Sequence, residues 1–578
     1  MMETIYTEIM RQQVWASSRG NVRSLPPEIT LIAHDHELAK AISAYLVQSG
    51  RLAEPRITTA IGLSSSNVAR AAVIVYLPLL RECGMVPDFS EAERVLGDCA
   101  AAAVSRFVLV SSAAIYDASF RNPGFVSETY PLPKDRTSAA VASCWRKLEG
   151  NARRHFNDGE RLTILRCTTF LSNQSGNCIA RSFMGRAATA MPGHDPCIQL
   201  LHPADLAHAI ERVLQTGSAG TFNVAPDGVL PLRQALKQSG TRRIRIPRTI
   251  LGLFDRIRGK SGASHLNFKR YSWTVSNEKI KAIGFRPRFS SAAALSEFCR
   301  QRGRPNSTNN CAELRLFDDF GMDQQYIAFF GRTLFRFLAD WYWRIEVAGI
   351  ENIPQSGRAL LAGIHRGFMP WDGVMALDLI VKRTGRYPRF LIHPGLVKFP
   401  FLANFMTKLG GIIACQENAK RVLESDELLG VFPEGIQGAF VPYSQAYQIH
   451  DFHRDAFVKM ALRHRASIVP FVTVGSAEIF PILGKLRSRL WTKYSDWPEF
   501  PITPTFPLIP VPLPSKWHTR FLPAMHIQND YPPSAAADAS VVRAISREVR
   551  NRMQNAIDEM LRRRRSIFFG SVFPLGTK

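Results

Sequence analysis

A histidine and an aspartate lie close together in this chain and could carry out proton-transfer chemistry. Six residues separate His365 from Asp372, and the apolar run 359–362 just before them is typical of a buried strand. An imidazole that a carboxylate holds in place can take a proton from a hydroxyl near neutral pH. The segment therefore predicts general-base chemistry that would let an alcohol accept an acyl group.

Three further segments follow this pair in order, at residues 408–419, 430–438 and 467–471. Together with the His365 segment, they resemble the four motifs of the glycerol-phosphate and lysophospholipid acyltransferase superfamily, across about residues 325–570. The resemblance implies an α/β acyltransferase domain that moves a fatty acyl group to a lipid hydroxyl, such as that of a lysophospholipid. An enzyme like 1-acylglycerol-3-phosphate acyltransferase is the implied type.

The resemblance also gives the residues their roles. His365 would be the general base, and Asp372 would hold its tautomer and stabilise the imidazolium. The hydroxyl would attack a thioester of coenzyme A or of an acyl carrier protein, so neither an enzyme nucleophile nor another cofactor is required. The implied substrate-binding residues are Gln416, Arg421, Phe432, Pro433, Glu434 and Gly435.

Two departures from the family pattern bear on the substrate. The spacing of six residues replaces the usual four, and a turn at Pro370 can absorb the difference with the side chains still meeting. Gln416 stands where the family has an arginine for the acceptor phosphate, and an amide supplies no charge. Either Arg421 or Lys420 compensates, or the acceptor is a neutral lysolipid, a glycolipid or a long-chain alcohol.

The first half of the chain predicts a different α/β unit. Continuous β-branched runs at 29–33, 72–77, 106–110 and 162–166 alternate with helical patterns, which is typical of a parallel sheet between helices. The segments 110–117 and 148–150 resemble the extended short-chain dehydrogenases, the NAD-dependent epimerase/dehydratase family. The predicted fold class is thus an N-terminal Rossmann-like doubly wound sheet followed by the acyltransferase domain.

The dehydrogenase site that this resemblance implies is degenerate. Ser112 and Lys147 stand at family positions, but Ser143 replaces the proton-relaying tyrosine. The turn after the first strand, residues 33–37, has no glycine and two carboxylates, which would repel a diphosphate. We therefore expect that the domain has lost hydride transfer and that NAD(P) binding is disfavoured. Its expected role is that of a binding or regulatory module.

Length and composition bound the organisation and the partners. A chain of 578 residues is too long to fold around a single hydrophobic core. We predict domains at 1–300 and 326–578, joined by a polar linker at 301–325. The net charge of +25 favours an anionic partner. Because no nucleic-acid motif accompanies this charge, an anionic membrane surface is the predicted partner. The nine cysteines lack a Cys-x-x-Cys pair, and no metal site is predicted.

Two segments bear on the membrane. Residues 326–343 predict one aromatic helix with Arg332, Arg336 and Asp340 on a polar stripe, which either lies in the membrane interface or packs on its own domain. The arginine run 562–565 ends an amphipathic pattern predicted to pack on the second domain, and its charge favours the membrane surface. Without a secretory signal or spanning segment, we expect a cytoplasmic protein on the inner face of a membrane.

Two alternatives stay open beside the acyltransferase hypothesis. The chain could be a bifunctional fusion whose first domain is still an active NAD(P)-dependent oxidoreductase or epimerase. It could also be a catalytically inactive membrane scaffold. A titration with NAD(P) distinguishes the bifunctional fusion from the acyltransferase hypothesis. The acylation activity of a His365→Ala variant tests the scaffold alternative.

Overall fold

The computed structural model contains two large β-sheets with helices on both faces of each. The described residues are 29–33, 36–48, 55–59, 73–78, 90–102, 104–133, 140–156, 161–171, 178–247, 249–251, 263–302, 317–452, 455–507 and 511–573. The predicted fold class is confirmed, because both halves are mixed α/β units built on largely parallel sheets.

The first sheet has six parallel strands in the order β6-β5-β4-β3-β1-β2. They are β1 (Ile29–Ala33), β2 (Arg56–Thr58), β3 (Val73–Leu77), β4 (Arg106–Ser112), β5 (Leu162–Cys167) and β6 (Gly220–Val224). Three short ribbons pair Thr169–Phe170 with Leu200–Leu201, Cys197–Ile198 with Leu230–Pro231, and Ala187–Ala190 with Arg242–Arg245. The continuous apolar runs form strands because helices bury both of their faces.

Helices cover this sheet on opposite sides. They are α1 (His36–Gln48), α2 (Ser90–Ala101), α3 (Ala140–Phe156), α4 (Cys178–Ser182), α5 (Pro203–Thr216), α6 (Leu232–Gln238), α7 (Glu278–Ala282) and α8 (Ser291–Gln301). One face packs under α1 and α5 and the other under α2 and α3, so the sheet is doubly wound as predicted. The turn residues His34 and Asp35 lie outside the described residues.

The second sheet has seven strands in the order β7-β13-β12-β8-β11-β9-β10, and only the β12–β13 pair is antiparallel. They are β7 (Glu346–Ala348), β8 (Ala359–Gly363), β9 (Arg389–Ile392), β10 (Gly411–Ile413), β11 (Leu428–Val431), β12 (Ser467–Val474) and β13 (His518–Phe521). Because β8 and β11 are parallel neighbours, the residues that follow them meet at one edge of the sheet.

The helices of the second half enclose this sheet. They are α9 (Gln324–Arg332), α10 (Leu334–Phe337), α11 (Trp371–Thr384), α12 (Gly395–Lys398), α13 (Leu402–Lys408), α14 (Gln416–Glu424), α15 (Ile436–Ala439), α16 (Ala456–Arg463), α17 (Arg489–Ser495), α18 (Ile527–Asp530) and α19 (Ala539–Arg563). Along β8, Leu360 and Ala362 pack under α14, α16 and α19, whereas Ala359 and Leu361 pack under α9 and α11. No helix in the described ranges is long and apolar enough to cross a bilayer.

The prediction of one helix over residues 326–343 is wrong. The helix breaks at Thr333, and a π-helical turn, Leu338–Tyr342, follows α10. The Thr333 hydroxyl donates to the Phe329 carbonyl at 2.8 Å, a local bond that competes with the helical ladder and bends helices. Part of the segment packs inward through Phe335, while Trp341 is 75% exposed.

The two halves of the chain touch through the predicted linker. Within that linker, Asp318 pairs with the buried Arg389 at 2.6 Å, and the Phe320 ring meets Phe125 of the first half edge to face at 5.5 Å. The Gly124 amide donates to the Asn418 side chain at 2.8 Å, which joins the first half directly to α14. Residues 317–323 are therefore packed between the halves.

Helix α19 packs on the second sheet, as its apolar spacing predicts. Its residues Val542, Ile545, Val549, Met553, Ile557 and Met560 are all buried in one core cluster with β8, β11 and β12.

This packing gives the first testable prediction. Met553 is fully buried, so Met553→Ala should lower the free energy of unfolding by about 2–5 kcal/mol through lost contacts and an unfilled cavity. Urea unfolding followed by circular dichroism measures the change. Arg552→Ala on the exposed face of α19 is the matched control, and equal effects of the two substitutions would contradict the packing.

Candidate active site

The imidazole of His365 and the carboxylate of Asp372 meet despite the long spacing. The His365 Nδ1 atom lies 2.9 Å from each Asp372 oxygen, and these oxygens also accept the amides of Arg366 at 2.9 Å and Gly373 at 2.8 Å. Asp372 is buried in the first turn of α11, where the helix dipole favours a negative charge. With Nδ1 turned toward Asp372, Nε2 is the ring nitrogen left to receive a proton from a substrate.

The extra length of the His–Asp loop, residues 365–372, is taken up by two left-handed residues. Gly367 has φ 79° and Phe368 has φ 62°. A side chain at Gly367 would come within 2.4 Å of the Ser476 carbonyl. Phe368 is kept in this uncommon conformation by burial among aromatic rings, with Trp497 at 5.1 Å and its amide bonded to Ala439. The turn therefore lies at Gly367 and Phe368 instead of the predicted Pro370. It still absorbs the two extra residues and lets His365 meet Asp372.

A buried ion pair joins this loop to the Phe432–Gly435 segment. The Arg366 guanidinium contacts both Glu434 oxygens, at 2.5 and 3.1 Å, in a bidentate arrangement. It also donates to the carbonyls of His365, Ala446 and Gln448. Arg366 is 1% exposed and Glu434 is 7% exposed. The carboxylate predicted to line the acceptor site is thus engaged inside the protein, where it holds the loops together.

The other residues of this segment lie beside the imidazole. The Phe432 ring is 5.3 Å from the His365 ring and continues into an aromatic layer with Phe390. Gly435 has φ 61° and ψ −152°, a backbone conformation that is essentially restricted to glycine. A Cβ built on Gly435 meets nothing within 4 Å, so the space beside this turn is open. Pro433 comes just before the buried carboxylate and fixes the start of the turn.

The predicted phosphate-binding residues lie at the start of α14 and along it. Gln416 opens α14 and is exposed. The Arg421 guanidinium lies 3.9 Å from the Phe125 ring of the first half and 3.7 Å from the Asp319 carboxylate. Lys420 pairs with Glu424 on the exposed face of the same helix. Arg421 therefore serves the contact between the halves.

Sequence reasoning missed a second buried cluster that supports the loop. Arg564 donates to Glu478 at 2.5 Å and to the Tyr447 hydroxyl at 3.2 Å, and Tyr447 donates to Glu478 at 2.6 Å. Glu478 belongs to the turn that contacts Gly367. Arg564 comes from the arginine run that the sequence assigned to a membrane surface, so one of those four cations is internal.

In the first half, the three residues of the degenerate dehydrogenase site lie at the end of β4 and on α3. The Ser112 hydroxyl caps the turn after β4 by accepting the Ala114 amide at 3.1 Å, while Ser143 and Lys147 lie on α3. A buried polar cluster nearby was not predicted. Arg166 binds Glu149 through two bonds and donates to the Tyr116 hydroxyl, and burial raises the pKa of Tyr116 to about 12.

Among the residues that the structure describes, no group of three or more His, Cys, Asp or Glu side chains could hold a metal ion. The pair of His365 and Asp372 can accept a proton without one. The arrangement supports general-base chemistry at an edge of the second sheet.

The comparisons with known proteins place this site in an acyltransferase domain. A family model described as Acyltransferase matches residues 344–474. An uncharacterized protein of Mycobacterium leprae is 35% identical over 326 residues, which are 55% of this chain and 82% of that protein. Phytyl ester synthase 1 of Arabidopsis thaliana is 27% identical over 162 residues, covering 27% of this chain and 22% of that protein. A UDP-N-acetylglucosamine 4-epimerase structure from Bacillus cereus is 15% identical with a TM-score of 0.36, covering 48% of this chain and 99% of that one.

The ion pair of Arg366 and Glu434 gives the second prediction. Glu434→Gln removes a charge from a buried pair and should cost about 3–5 kcal/mol of folding free energy, because the guanidinium loses its counter-ion. Glu424→Gln, in the exposed pair with Lys420, should cost under about 1 kcal/mol. Urea unfolding of both variants measures the difference. Similar costs at the two positions would show that the buried pair does not hold the loops.

Proposed function

This chain belongs to the same family as the Mycobacterium leprae protein and carries an acyltransferase domain, and from that premise we propose that it esterifies a lipid hydroxyl with a fatty acyl group from a thioester. The observation that carries the proposal is the 2.9 Å contact of His365 Nδ1 with Asp372. Because this contact occupies Nδ1, the second ring nitrogen is the one left for the acceptor hydroxyl.

In the proposed reaction, Nε2 of His365 removes the acceptor proton as the hydroxyl oxygen attacks the thioester carbonyl. A C–O bond forms, the C–S bond breaks, and the proton then passes from the imidazolium to the leaving thiolate. Asp372 stabilises the imidazolium and is itself fixed by the amides of Arg366 and Gly373. The thiol belongs to coenzyme A or to an acyl carrier protein.

The acceptor that best fits the site is an uncharged lipid alcohol. Gln416 brings no charge, and the Arg421 guanidinium is already engaged by Phe125 and Asp319. An anionic headgroup would therefore lack the cation that the family pattern provides. The name of the plant relative, a phytyl ester synthase, also refers to an ester of a long-chain alcohol, although the similarity covers only 27% of this chain.

We assign the first half a binding or regulatory role and place the protein at the cytoplasmic surface of an anionic membrane. The net charge of +25 supports an anionic membrane as the partner. The hydrogen bond from Gly124 to Asn418 supports a regulatory role in which the first half acts on the second through α14. The alternative is an active NAD(P)-dependent enzyme in the first half. It is favoured by the doubly wound sheet, because sheets of this kind can bind dinucleotides. A titration of the full chain with NAD⁺ and NADPH distinguishes the two, since tight binding would favour the bifunctional fusion.

The proposed base gives the third prediction. His365→Ala should lower kcat about 10²–10⁴-fold in a transfer assay with a labelled acyl thioester, because the acceptor loses its general base. The circular dichroism spectrum should stay unchanged. His464→Ala, a histidine at the end of α16, is the control and should keep full activity. Unchanged acylation by His365→Ala would refute the role of His365 as the base, and a wild-type rate no higher than background would instead favour the inactive scaffold.

The acceptor assignment gives the fourth prediction. With one acyl thioester, long-chain alcohols or neutral lysolipids should show a higher kcat/KM than lysophosphatidate. Arg421→Gln should leave that ratio unchanged, because Arg421 contacts Phe125 rather than the acceptor. Transfer to lysophosphatidate alone, or its loss on Arg421→Gln, would refute the neutral-acceptor assignment while leaving the acyltransferase assignment intact.

A further inference from the structure

A small hairpin and helix lie between β12 and β13 in the chain. The hairpin pairs Gly484–Leu486 with Phe500–Ile502, and α17 lies between its strands in the chain. We refer to residues 483–502 as the hairpin–helix element. The Trp491 indole of α17 donates to the Glu499 carbonyl at 3.0 Å, which ties the helix to the hairpin.

This element carries an unusual amount of exposed apolar surface. Leu483 is 67% exposed, Leu486 56%, Leu490 80% and Tyr494 70%. Four of the large apolar side chains, Leu486, Leu490, Trp491 and Phe500, line an open groove of about 420 Å³ together with Ser488 and Tyr494. Contiguous apolar surface of this kind marks a site of protein or membrane contact.

The charges around the groove select an anionic occupant. The element contains four cations, Lys485, Arg487, Arg489 and Lys493, and two carboxylates. Both carboxylates are already paired: Glu499 with Lys485 and Arg487, and Asp496 with Arg121 and Lys398. Arg489 and Lys493 are exposed and form no ion pair within the described part of the chain. A second copy of this chain would bring the same cations face to face.

The groove is also close to the His–Asp loop. The Trp491 ring lies 5.7 Å from Trp497, and Trp497 lies 5.1 Å from Phe368 of that loop. Two ring contacts thus connect the exposed groove with the segment that carries His365. A lipid held at the groove would be near the proposed point of acyl transfer.

We propose that the hairpin–helix element is the part of the protein that inserts into an anionic bilayer, with Leu486 and Leu490 entering the acyl region and Arg489 and Lys493 meeting the headgroups. This proposal deepens the proposed function, on which it rests, by locating its membrane contact. Aromatic side chains at headgroup depth, flanked by cations, are typical of elements that lie in the membrane interface. The segment 326–343 is then secondary to this element in membrane binding.

The test is sedimentation of the full chain with phosphatidylcholine vesicles, with and without phosphatidylglycerol. The wild-type chain should bind the anionic vesicles preferentially and release them as salt rises. The double variant Leu486→Ser, Leu490→Ser should lose about tenfold or more in partition coefficient, since burial of a single leucine side chain can account for a factor of this size. Ile244→Ser, an exposed apolar residue of the first half, is the matched control and should bind as wild type.

Two outcomes would overturn the proposal. One is unchanged vesicle binding by the double variant, and the other is an equal loss caused by Trp341→Ser in the other exposed aromatic segment. Vesicle binding requires no catalysis, so its result is independent of the proposed reaction. Transfer between a water-soluble short-chain thioester and a short alcohol should remain at wild-type rate in the double variant. Absence of that activity in the wild-type chain would count against the proposed function alone.

Discussion

The ion pair of Arg366 and Glu434 is the constraint on which the rest of the site depends. Its two side chains come from loops that follow neighbouring parallel strands, 68 residues apart in sequence. Removing both charges from water is costly, and the pair is tolerated because bidentate geometry and three backbone carbonyls satisfy the guanidinium. With both loops fixed to one cation, His365 and Phe432 keep a constant relative position.

The His–Asp loop is supported from two further directions. Phe368 anchors its middle in an aromatic cluster that includes Trp497. The turn at residues 475–480 supports Gly367 from the other side, and Arg564 at the end of α19 holds that turn through Glu478. A loop two residues longer than the family pattern thus gains rigidity from side-chain contacts made by distant parts of the chain.

Much of this arrangement was predictable where the determinants are local. Strands β1, β4 and β5 begin where the apolar runs begin, because continuous β-branched residues suit a sheet buried on both faces. The contact of His365 with Asp372 was also predictable, because both residues belong to one loop and a turn within it can absorb the two extra residues. The pairing of Arg366 with Glu434 was not, because it depends on which strands are neighbours. Its signal was present, since both residues follow buried strands whose ends meet if the strands are parallel.

Two further predictions failed for different reasons. A helical pattern over 326–343 reports side-chain spacing but not the bond from the Thr333 hydroxyl to the Phe329 carbonyl at the point where the helix breaks. A run of four arginines looks uniformly solvated in sequence, yet Arg564 finds two buried acceptors from other segments. The first error therefore comes from a local side-chain bond, and the second comes from a tertiary contact.

The stacking of Arg421 on Phe125, together with the bond from Gly124 to Asn418, has a consequence for how this protein can be divided. A fragment that begins after the first 300 residues would expose the Phe320 ring to water and leave the Arg421 cation without its aromatic cover. Such a fragment would expose more of the Arg421 guanidinium, which is 27% exposed in the intact chain. The first half therefore determines how much of the α14 surface meets water. Orthologues that lack the first half should differ in sequence at α14.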